Sequence, residues 1–198
     1  MTSINQNFYA QPTVSVARQL LGQQLVREID GQRLSVQIVE TEAYVGPTDT
    51  ACHASKGRTP RTRVMFGPPG RAYVYLVYGM YCMLNLVTEA EDFPAAVLIR
   101  AVEPVKGVEI MQANRKLKIP KLENLTNGPG KLCQALAIDR MLNNWDVTLG
   151  QTLWIERGEF ITDDLIGTGP RIGVDYAEPK DRAAPWRFWI EGNGVVSK

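Results

Sequence analysis

The architecture of this chain follows from one segment, Gln24-Leu-Val-Arg-Glu-Ile-Asp-Gly-Gln-Arg-Leu-Ser-Val-Gln-Ile-Val-Glu-Thr-Glu-Ala-Tyr-Val45. At its centre, Asp30-Gly31 indicates a tight two-residue hairpin turn, because both residue types tolerate the positive φ that such a turn requires. The runs on either side, residues 24–29 and 32–45, are rich in apolar side chains and are predicted to form antiparallel strands. We expect the rest of the fold to be built around this hairpin.

Outside this hairpin, the sequence alternates between β-rich runs and short helical patterns. Further strands are predicted at residues 71–87, with a bulge or turn at Gly79, and at 95–102, 152–156, 171–174 and 187–191. Short helices are predicted at 12–22, 107–117 and 131–138, and residues 118–127 are predicted to be a connection. These elements predict an α+β fold in which a single compact domain, residues 1–198, holds a mostly antiparallel curved sheet, a few short flanking helices and a protruding β-hairpin.

The composition argues against several classes of protein. Apolar residues make up 44% of the 198 residues and charged residues 22%, as in soluble globular domains and unlike disordered chains. No apolar run approaches the roughly 20 residues of a membrane span, and residues 1–11 are too polar for a signal peptide, so we expect the chain to stay where it is made. The three cysteines are widely spaced and His53 is the only histidine, which predicts neither a disulfide framework nor a metal site.

Charge is unevenly distributed along the chain, although the net charge is only +1. Residues 50–88 contain no acidic side chain and five basic ones, Lys56, Arg58, Arg61, Arg63 and Arg71. Much of this stretch, residues 46–70, is predicted to be a long loop, and loops of that length are often functional. The segregation indicates a cationic face suited to a polyanion, and a solvated charge run without function is the alternative.

Two acidic residues lie near the end of the second hairpin strand. Because side chains alternate along a strand, Glu40 and Glu42 are predicted to share one face with four other residues, Leu34, Val36, Ile38 and Tyr44. A carboxylate that continues a buried apolar stripe loses hydration, which raises its pKa toward the range of a general base. Alternatively, the strand emerges into solvent after Ile38 and both acids are merely exposed. Paired acids also suggest a glycosidase, but such pairs usually come from different elements.

Aromatic residues near the basic loop are further candidates for a site. Tyr73 and Tyr75 are predicted to lie on one face of a strand, and Tyr78 lies beside Gly79, where a turn would let it protrude. A protruding bulky side chain next to a cationic loop has the form of the wedges that minor-groove proteins insert between base steps. The alternative is a filled core with satisfied hydroxyl groups, which we adopt for Tyr73. His53 follows the acidic strand closely, although a lone histidine is more often structural than catalytic.

Blocks spread along the sequence carry a family resemblance. The first are Val39-Glu-Thr-Glu-Ala-Tyr-Val-Gly-Pro47, His53, Arg58-Thr-Pro-Arg-Thr-Arg63, Tyr73-Val-Tyr-Leu-Val-Tyr-Gly-Met-Tyr81 and Asn85. The later ones are Ile99-Arg-Ala-Val-Glu-Pro104, Gly128-Pro-Gly-Lys-Leu-Cys-Gln-Ala-Leu136, Arg171-Ile-Gly173 and Arg187-Phe188. In this order and at this length, the blocks resemble the alkyladenine (3-methyladenine) DNA glycosylase family, and the match covers nearly the whole chain.

The resemblance implies roles in chemistry and base recognition. Glu42 would be the general base that deprotonates the attacking water, and Arg100 would help to hold that water. Asn85 would exclude the 2-amino group of guanine. The pocket that receives a flipped base would be lined by Tyr44, His53, Tyr75 and Asn85.

The resemblance also implies how the chain would meet DNA. Tyr78, with Met80 beside it, would be the wedge that fills the space left by the flipped base. The loop that follows the DNA backbone would contribute Thr59, Arg61, Arg63 and Met65.

By the same resemblance, the chain is expected to be a monofunctional DNA-repair glycosylase. It would flip damaged purines out of double-stranded DNA, hydrolyse their N-glycosidic bond and leave an abasic site, which starts base excision repair. Purines of the 3-methyladenine type are the implied substrates, with hypoxanthine and ethenoadenine as further candidates. The enzyme would need no cofactor, metal, membrane or obligate protein partner. It would act as a monomer in the cytoplasm, at the nucleoid of a bacterium or in the nucleus of a eukaryote.

Other functions stay open at this point. A non-catalytic DNA-binding module would use the basic loop and the tyrosine wedge to sense distorted duplex. A small-molecule hydrolase would use Glu40 and Glu42 and turn over without DNA, whereas binding through phosphate contacts weakens steeply with added salt. A bifunctional glycosylase would need an amine nucleophile, for which Lys56 and Lys131 are the nearby candidates, and the family resemblance supports neither.

Overall fold

The computed structural model describes residues 3–116 and 122–197. Its strands are β1 (Gln24–Ile29), β2 (Gln32–Val45), β3 (Ala72–Val77), β4 (Tyr81–Val87), β5 (Ala95–Lys106), β6 (Leu153–Glu156), β7 (Ile166–Gly169) and β8 (Arg187–Ile190). Its helices are α1 (Gln6–Tyr9), α2 (Thr13–Gln19), α3 (Val108–Asn114), α4 (Pro129–Ala135) and α5 (Pro179–Arg182). Single 3-10 turns lie at His53–Lys56, Arg63–Phe66, Leu122–Asn124, Arg140–Leu142 and Asp163–Leu165.

The strands form one sheet in the order β3-β4-β5-β2-β1-β6, and every neighbouring pair is antiparallel. β8 pairs with both β2 and β7, which brings the sheet to eight strands. At one end of this order, the β3–β4 hairpin projects the side chain of Tyr78 into solvent. The predicted α+β class is therefore confirmed, with its mostly antiparallel sheet, short helices and protruding hairpin.

The β1–β2 hairpin has the predicted bounds. Asp30 and Gly31 have φ angles of 49° and 72°, and Ile29 pairs with Gln32 across the two-residue turn. A turn of this kind matches the twist of the strands that it joins. The dipeptide therefore fixes the register of the whole pair.

The pairing of β2 with β5 is irregular in the middle of both strands. Ile38 pairs with Val102 and Glu40 with Ala101, so that two steps along β2 match one along β5. The next pair, Thr41 with Ile99, compensates by skipping a residue on β5. Such β-bulges locally break the two-residue alternation of side chains.

This irregularity reverses which residues of β2 face the main core. Before it, the core residues are Leu34, Val36 and Ile38, and beyond it they are Ala43 and Val45. Glu40, Glu42 and Tyr44 therefore lie on the opposite face from Leu34, Val36 and Ile38. The prediction that all six share one face is wrong, because a shift of one residue sends every later side chain to the other side of the sheet.

The main core lies between the sheet and the helices. α2 contributes Val16 and Ala17, α4 contributes Leu132 and Leu84 of β4 packs among them. Burial of a side chain of leucine size contributes about 1.5–3 kcal/mol. Because the helices cover this face, the opposite face of β2, β3, β4 and β5 is available for a site, and we call it the site face.

One predicted strand is absent, and another takes its place. Residues 171–174 form no strand, whereas β7, at Ile166–Gly169, pairs with β8. Gly173 has a φ of 77°, and the Ile172 amide donates to a carboxylate instead of a strand neighbour. The segment is therefore a loop that serves the site.

The other boundaries differ by a few residues. β5 continues four residues beyond the predicted end, and α4 begins at Pro129, a residue that suits the first turn of a helix. Of the predicted helix 107–117, α3 is observed, and residue 117 lies outside the described residues, as do 118–121 of the predicted connection. Within the described ranges, no helix has both the length and the apolar character to cross a membrane.

Candidate active site

The strand register lines up two predicted site residues, Glu42 and Asn85, with Tyr73 in one row across the site face. Tyr73 of β3 pairs with Asn85 of β4, and Asn85 pairs with Leu98 of β5. Leu98 pairs in turn with Glu42 of β2. Paired residues of antiparallel strands present their side chains on the same face. The sheet itself therefore places an acid and an amide in one row with an aromatic residue.

The Glu42 carboxylate lies at the floor of the site and has no exposed surface. Its Oε1 accepts a hydrogen bond from the Ile172 amide (2.8 Å) and its Oε2 from the Tyr44 hydroxyl (2.9 Å). Arg100 Nη1 lies 3.3 Å from Oε1. An ionised carboxylate has about four acceptor positions, so one of them, at Oε2, has no partner among the described residues.

The environment of Glu42 favours a base that is ready to accept a proton. Burial raises the pKa of this carboxyl group, and the Arg100 guanidinium, the Ile172 amide and the Tyr44 hydroxyl oppose that rise. The neighbouring Glu40 carboxylate adds a smaller upward contribution. Burial prevails, and the pKa lies above the ordinary value of a glutamate, which is the direction that general-base chemistry requires.

Arg100 links Glu42 to a second buried acid, Glu40. Its Nε lies 3.4 Å from Glu40 Oε1 and donates a hydrogen bond to the Ser197 hydroxyl (3.0 Å). Glu40 Oε1 also accepts from Arg187 (3.0 Å). Two acids and two arginines therefore balance their charges inside the protein, as buried ion pairs must.

A second buried ion pair supports the floor of the site. Arg171 donates to both oxygens of Asp49, at 2.6 and 2.9 Å, and to the carbonyl of Ala43 (2.9 Å). Its guanidinium lies 4.8 Å from the ring centre of Tyr44 and 5.0 Å from that of Trp186. Because Arg171 directly precedes Ile172, the ion pair also holds in place the Ile172 amide that donates to Glu42.

His53 and Tyr75 form an aromatic wall with Tyr73 behind them. The His53 and Tyr75 rings meet edge to face with centres 4.5 Å apart, and His53 Nδ1 lies 3.3 Å from the Tyr73 hydroxyl. Burial and then Arg61 lower the pKa of His53 to about 4, so the imidazole is neutral at physiological pH. Burial raises the pKa of Tyr75, so its hydroxyl stays protonated.

The predicted pocket residues form two sets that meet through a small core cluster. Glu42, Arg100 and Tyr44 are in direct contact, as are His53 and Tyr75. Tyr44 and Tyr75 both pack against a cluster made of Cys52, Ala54, Val64, Met65, Tyr73, Val87 and Ala96. Asn85 is buried in the row described above, where its Nδ2 donates to the Tyr73 carbonyl (3.2 Å).

The β3–β4 turn holds the predicted wedge. Tyr78 and Gly79 have φ angles of 52° and 69°, and the Tyr78 side chain is 88% exposed. A tyrosine with positive φ is uncommon and here results from the tight turn. Met80 is exposed beside it. The hairpin thus holds a bulky aromatic side chain outside the site face.

The basic loop is only partly available to a polyanion. Thr59, Arg61 and Arg63 are exposed, and their contacts with the DNA backbone stay a prediction. Arg58 pairs with Asp92, and Arg71 lies 3.4 Å from Asp146, which offsets two of the five positive charges. Arg61 lies over the Tyr75 ring, 4.9 Å from its centre. The loop therefore presents the Arg61 cation next to the aromatic wall.

The prediction that Met65 contacts DNA needs correction. Its side chain is buried and belongs to the cluster under Tyr73 and Tyr75. With almost no exposed surface, it supports the aromatic wall from behind. The 3-10 turn at Arg63–Phe66 causes this, because it directs Val64 and Met65 inward and leaves Arg63 outside.

Sequence reasoning missed several residues that complete the site. These are Asp49, Arg171, the Ile172 amide, Arg187 and Ser197. Arg171 and Arg187 fall in blocks that carry the family resemblance, which is the one signal that could have singled them out. Within the described ranges, no three His, Cys, Asp or Glu side chains come together in a way that could hold a metal ion.

Comparisons with known proteins identify the family. The model of the methylpurine-DNA glycosylase family matches residues 7–194. A protein of Methanocella arvoryzae is 53% identical over 198 residues, covering 100% of this chain and 97% of its own length. A protein of Alkaliphilus oremlandii is 46% identical, with 98% of each chain covered. Both are named "Putative 3-methyladenine DNA glycosylase". The chain therefore belongs to the methylpurine-DNA glycosylase family, which confirms the resemblance drawn from its sequence and the enzyme class that it implied.

Proposed function

We propose that this chain is a monofunctional DNA-3-methyladenine glycosylase that flips an alkylated purine out of the duplex and hydrolyses its glycosidic bond with a water activated by Glu42. The observation that carries the proposal is the buried Glu42 carboxylate, which has one acceptor position left and a raised pKa. A water held at Oε2 would transfer a proton to the carboxylate as its oxygen attacks the anomeric carbon. Base and sugar then part without a covalent intermediate on the protein.

The same carboxylate suits the expected transition state. Cleavage of a glycosidic bond proceeds through an oxocarbenium-like state in which positive charge develops on the sugar. A negative charge fixed in a dry site stabilises such a state far more than it would in water. Arg100 keeps Glu42 ionised in the resting enzyme, because a cation 3.3 Å away favours the charged form.

The aromatic wall suits the proposed base. Alkylation at N3 or N7 gives a purine positive charge, which weakens the glycosidic bond and favours contact with electron-rich rings. Tyr44 and Tyr75 provide such rings, each with a guanidinium already near one side, Arg171 at 4.8 Å and Arg61 at 4.9 Å from the ring centres. A cationic base would have to use the other side, and the neutral His53 adds no further charge. A damaged base also costs less to unstack than a sound one, which adds to selectivity.

The positions of the lysines support hydrolysis without strand cleavage. A bifunctional glycosylase needs an amine nucleophile at the sugar. Lys131 donates instead to Asn127 (2.6 Å) at the start of α4, and Lys56 is exposed at the end of a 3-10 turn. Glu42 has neither lysine among its described contacts. We therefore infer that the product is an abasic site in an intact strand. That the enzyme acts on duplex DNA as a monomer is a separate part of the proposal.

The direct test is an excision assay on a panel of duplexes, each with one lesion. The panel would contain 3-methyladenine, 7-methylguanine, hypoxanthine, ethenoadenine and an undamaged control. We expect release of free base from the lesion duplexes, with strand breaks only after alkaline treatment. Strand breaks before that treatment, together with a borohydride-trapped complex, would indicate an amine nucleophile and overturn the monofunctional assignment.

Substitution of Tyr78 with alanine tests the wedge. We expect affinity for a lesion-bearing duplex to fall by about 5- to 150-fold, since stacking of one base on an aromatic ring contributes about 1–3 kcal/mol. The measurement is a titration by fluorescence anisotropy at fixed salt. Phe160→Ala is the matched control, because Phe160 is 84% exposed and lies near α2, away from the site face. Equal affinities of the two variants would contradict the wedge role.

The pH profile of excision tests the state of Glu42. Because burial raises its pKa, the rate should fall with decreasing pH through an apparent pKa above about 4.3, the ordinary value for glutamate. His53, with a pKa of about 4, titrates below that range. Single-turnover rates on a hypoxanthine duplex are the suitable measurement, since this base carries no charge of its own. If the apparent pKa of this acid limb were at or below the ordinary pKa of glutamate, Glu42 would not be the titrating base.

A further inference from the structure

Glu40 is a buried carboxylate with no part in the mechanism proposed above. It precedes Glu42 by two positions on β2, faces the same side and has no exposed surface. Arg187 donates to its Oε1 (3.0 Å), as does the Ser197 hydroxyl (2.9 Å), and the Ser197 amide donates to its Oε2 (2.8 Å). A buried acid with this many partners is fixed in place, and it fixes its partners in turn.

Ser197 joins Glu40 to Arg100. Its hydroxyl donates to Glu40 and accepts a hydrogen bond from Arg100 Nε (3.0 Å), so one oxygen links both side chains. The residues before it, Val195 and Val196, pack against Val39 and Ala101. Those two residues lie at the irregular pairing of β2 with β5. The segment after β8 is therefore seated where the bulge turns the acids toward the site face.

The guanidinium of Arg100 has one edge on this assembly and another on Glu42. Nε faces Ser197 and Glu40, and Nη1 lies 3.3 Å from Glu42 Oε1. A guanidinium is planar and rigid, so the partners of Nε determine the direction of Nη1. Without them, the side chain would be free to rotate away from Glu42.

We propose that Glu40 and Ser197 are positioning residues that hold the Arg100 guanidinium against Glu42 during glycosylase catalysis. The inference rests on the proposed role of Glu42 as the base. It assigns the segment after β8 a catalytic duty that its place outside the pocket does not suggest. It also explains why a second carboxylate is kept in the interior, where burial alone would disfavour it.

Charge makes this role distinguishable from a purely structural one. The titratable and charged groups that face Glu42 are Glu40 and Tyr44 on β2, Arg100 on β5, Tyr75 on β3, Arg187 on β8 and Arg171 after β7. Glu40 is the other acid in this set. Its neutralisation removes a weak repulsion, but it also loosens the hold on Arg100, which lowers the pKa of Glu42 more than any other group does. The loss of Arg100 from its place prevails, so the pKa of Glu42 should rise and the acid limb of the rate should move to higher pH.

The experiment compares three variants by single-turnover excision of hypoxanthine across pH, with unfolding in urea measured alongside. Glu40→Gln should lower the plateau rate by about 10- to 100-fold, the range expected when a catalytic group is slightly misplaced, and should shift the acid limb to higher pH. Ser197→Ala should lower the rate and shift the acid limb in the same direction, because Arg100 Nε loses its hydrogen-bond partner. The control is Glu156→Gln, which removes a buried carboxylate that pairs with Arg33 (2.7 Å) on the far strand β6. It should lose stability and keep the wild-type pH profile.

Two outcomes would overturn the inference. One is a Glu40→Gln variant that loses stability as Glu156→Gln does but keeps the wild-type rate and pH profile. The other is a Ser197→Ala variant with the wild-type excision rate. This second test can be made even if Glu40→Gln does not fold. Failure of the proposed function would look different, because Glu42→Gln would then keep its excision activity.

Discussion

Glu42→Gln is expected to lower the single-turnover rate of base release by about 10²–10⁴-fold, the usual contribution of a general base. Glutamine keeps the shape of the side chain and one acceptor oxygen, so the Ile172 amide keeps a partner. The side-chain carboxamide of glutamine cannot take a proton from water, and it carries no charge to stabilise the developing cation. Affinity for a lesion-bearing duplex should change little, because Glu42 is buried and contributes no exposed surface to the contact. Rate and affinity are measured on the same ethenoadenine duplex.

The stability of the same variant provides a control on folding. Because the pKa of Glu42 is raised in the folded protein, ionisation of this group makes folding less favourable as pH rises above the ordinary glutamate range. Glutamine removes that charge, so Glu42→Gln should be at least as stable as the wild type at neutral pH. The difference should shrink in acid, where Glu42 is protonated and neutral. Loss of both affinity and stability would mean that the substitution damages the fold, and loss of affinity alone would place Glu42 in binding.

The two competing functions predict different results for this variant. A non-catalytic sensor of distorted duplex would bind equally well with either residue and release no base in either form. A small-molecule hydrolase would turn over without DNA and would show no dependence on salt, whereas phosphate contacts make affinity fall steeply with added salt. The structure also leaves Glu40 unsuited to a paired-acid mechanism, because Arg187 and Ser197 already occupy its oxygens.

Local signals in the sequence predict the hairpins and most of the strands. Asp30-Gly31 fixes the turn between β1 and β2, and Gly79 marks the turn that exposes Tyr78. Each depends on the backbone preferences of adjacent residues, which do not change with the rest of the fold. The predicted strand at 171–174 is wrong for two reasons. The Ile172 amide donates to the distant Glu42 side chain, and Gly173 has a positive φ. The local sequence pattern reports neither feature.

The sequence singles out Glu42 and the tyrosines as candidates for the site, but it does not predict which face of the sheet they occupy. Two-residue alternation placed Glu42 on the same face as Ile38, and the bulge beside Val39 reverses that placement. A bulge depends on the pairing of β2 with β5, some sixty residues later in the chain, so no local pattern reports it. The partners of Arg100 lie further still, at Ser197, and only the folded chain brings them together.

The ion pair of Arg171 with Asp49 should dominate the stability of the site. Arg171 is 4% exposed, and its removal in Arg171→Leu leaves the Asp49 carboxylate buried without its cation. Loss of one partner of a buried pair costs about 3–5 kcal/mol, because the remaining charge keeps its desolvation penalty. Urea unfolding at neutral pH measures this loss.

Two further variants separate the pair from general effects of arginine removal. Arg18→Leu breaks the exposed pair of Arg18 with Asp163 and should cost at most about 1 kcal/mol. The double variant Arg171→Leu, Asp49→Asn should recover part of the loss, since asparagine carries no buried charge and its one carbonyl oxygen still accepts from either the Val45 or the Ala51 amide. Its excision rate should stay low, because Arg171 also anchors the segment whose Ile172 amide binds Glu42. If Arg171→Leu cost no more than Arg18→Leu, the pair would not be what holds the floor of the site.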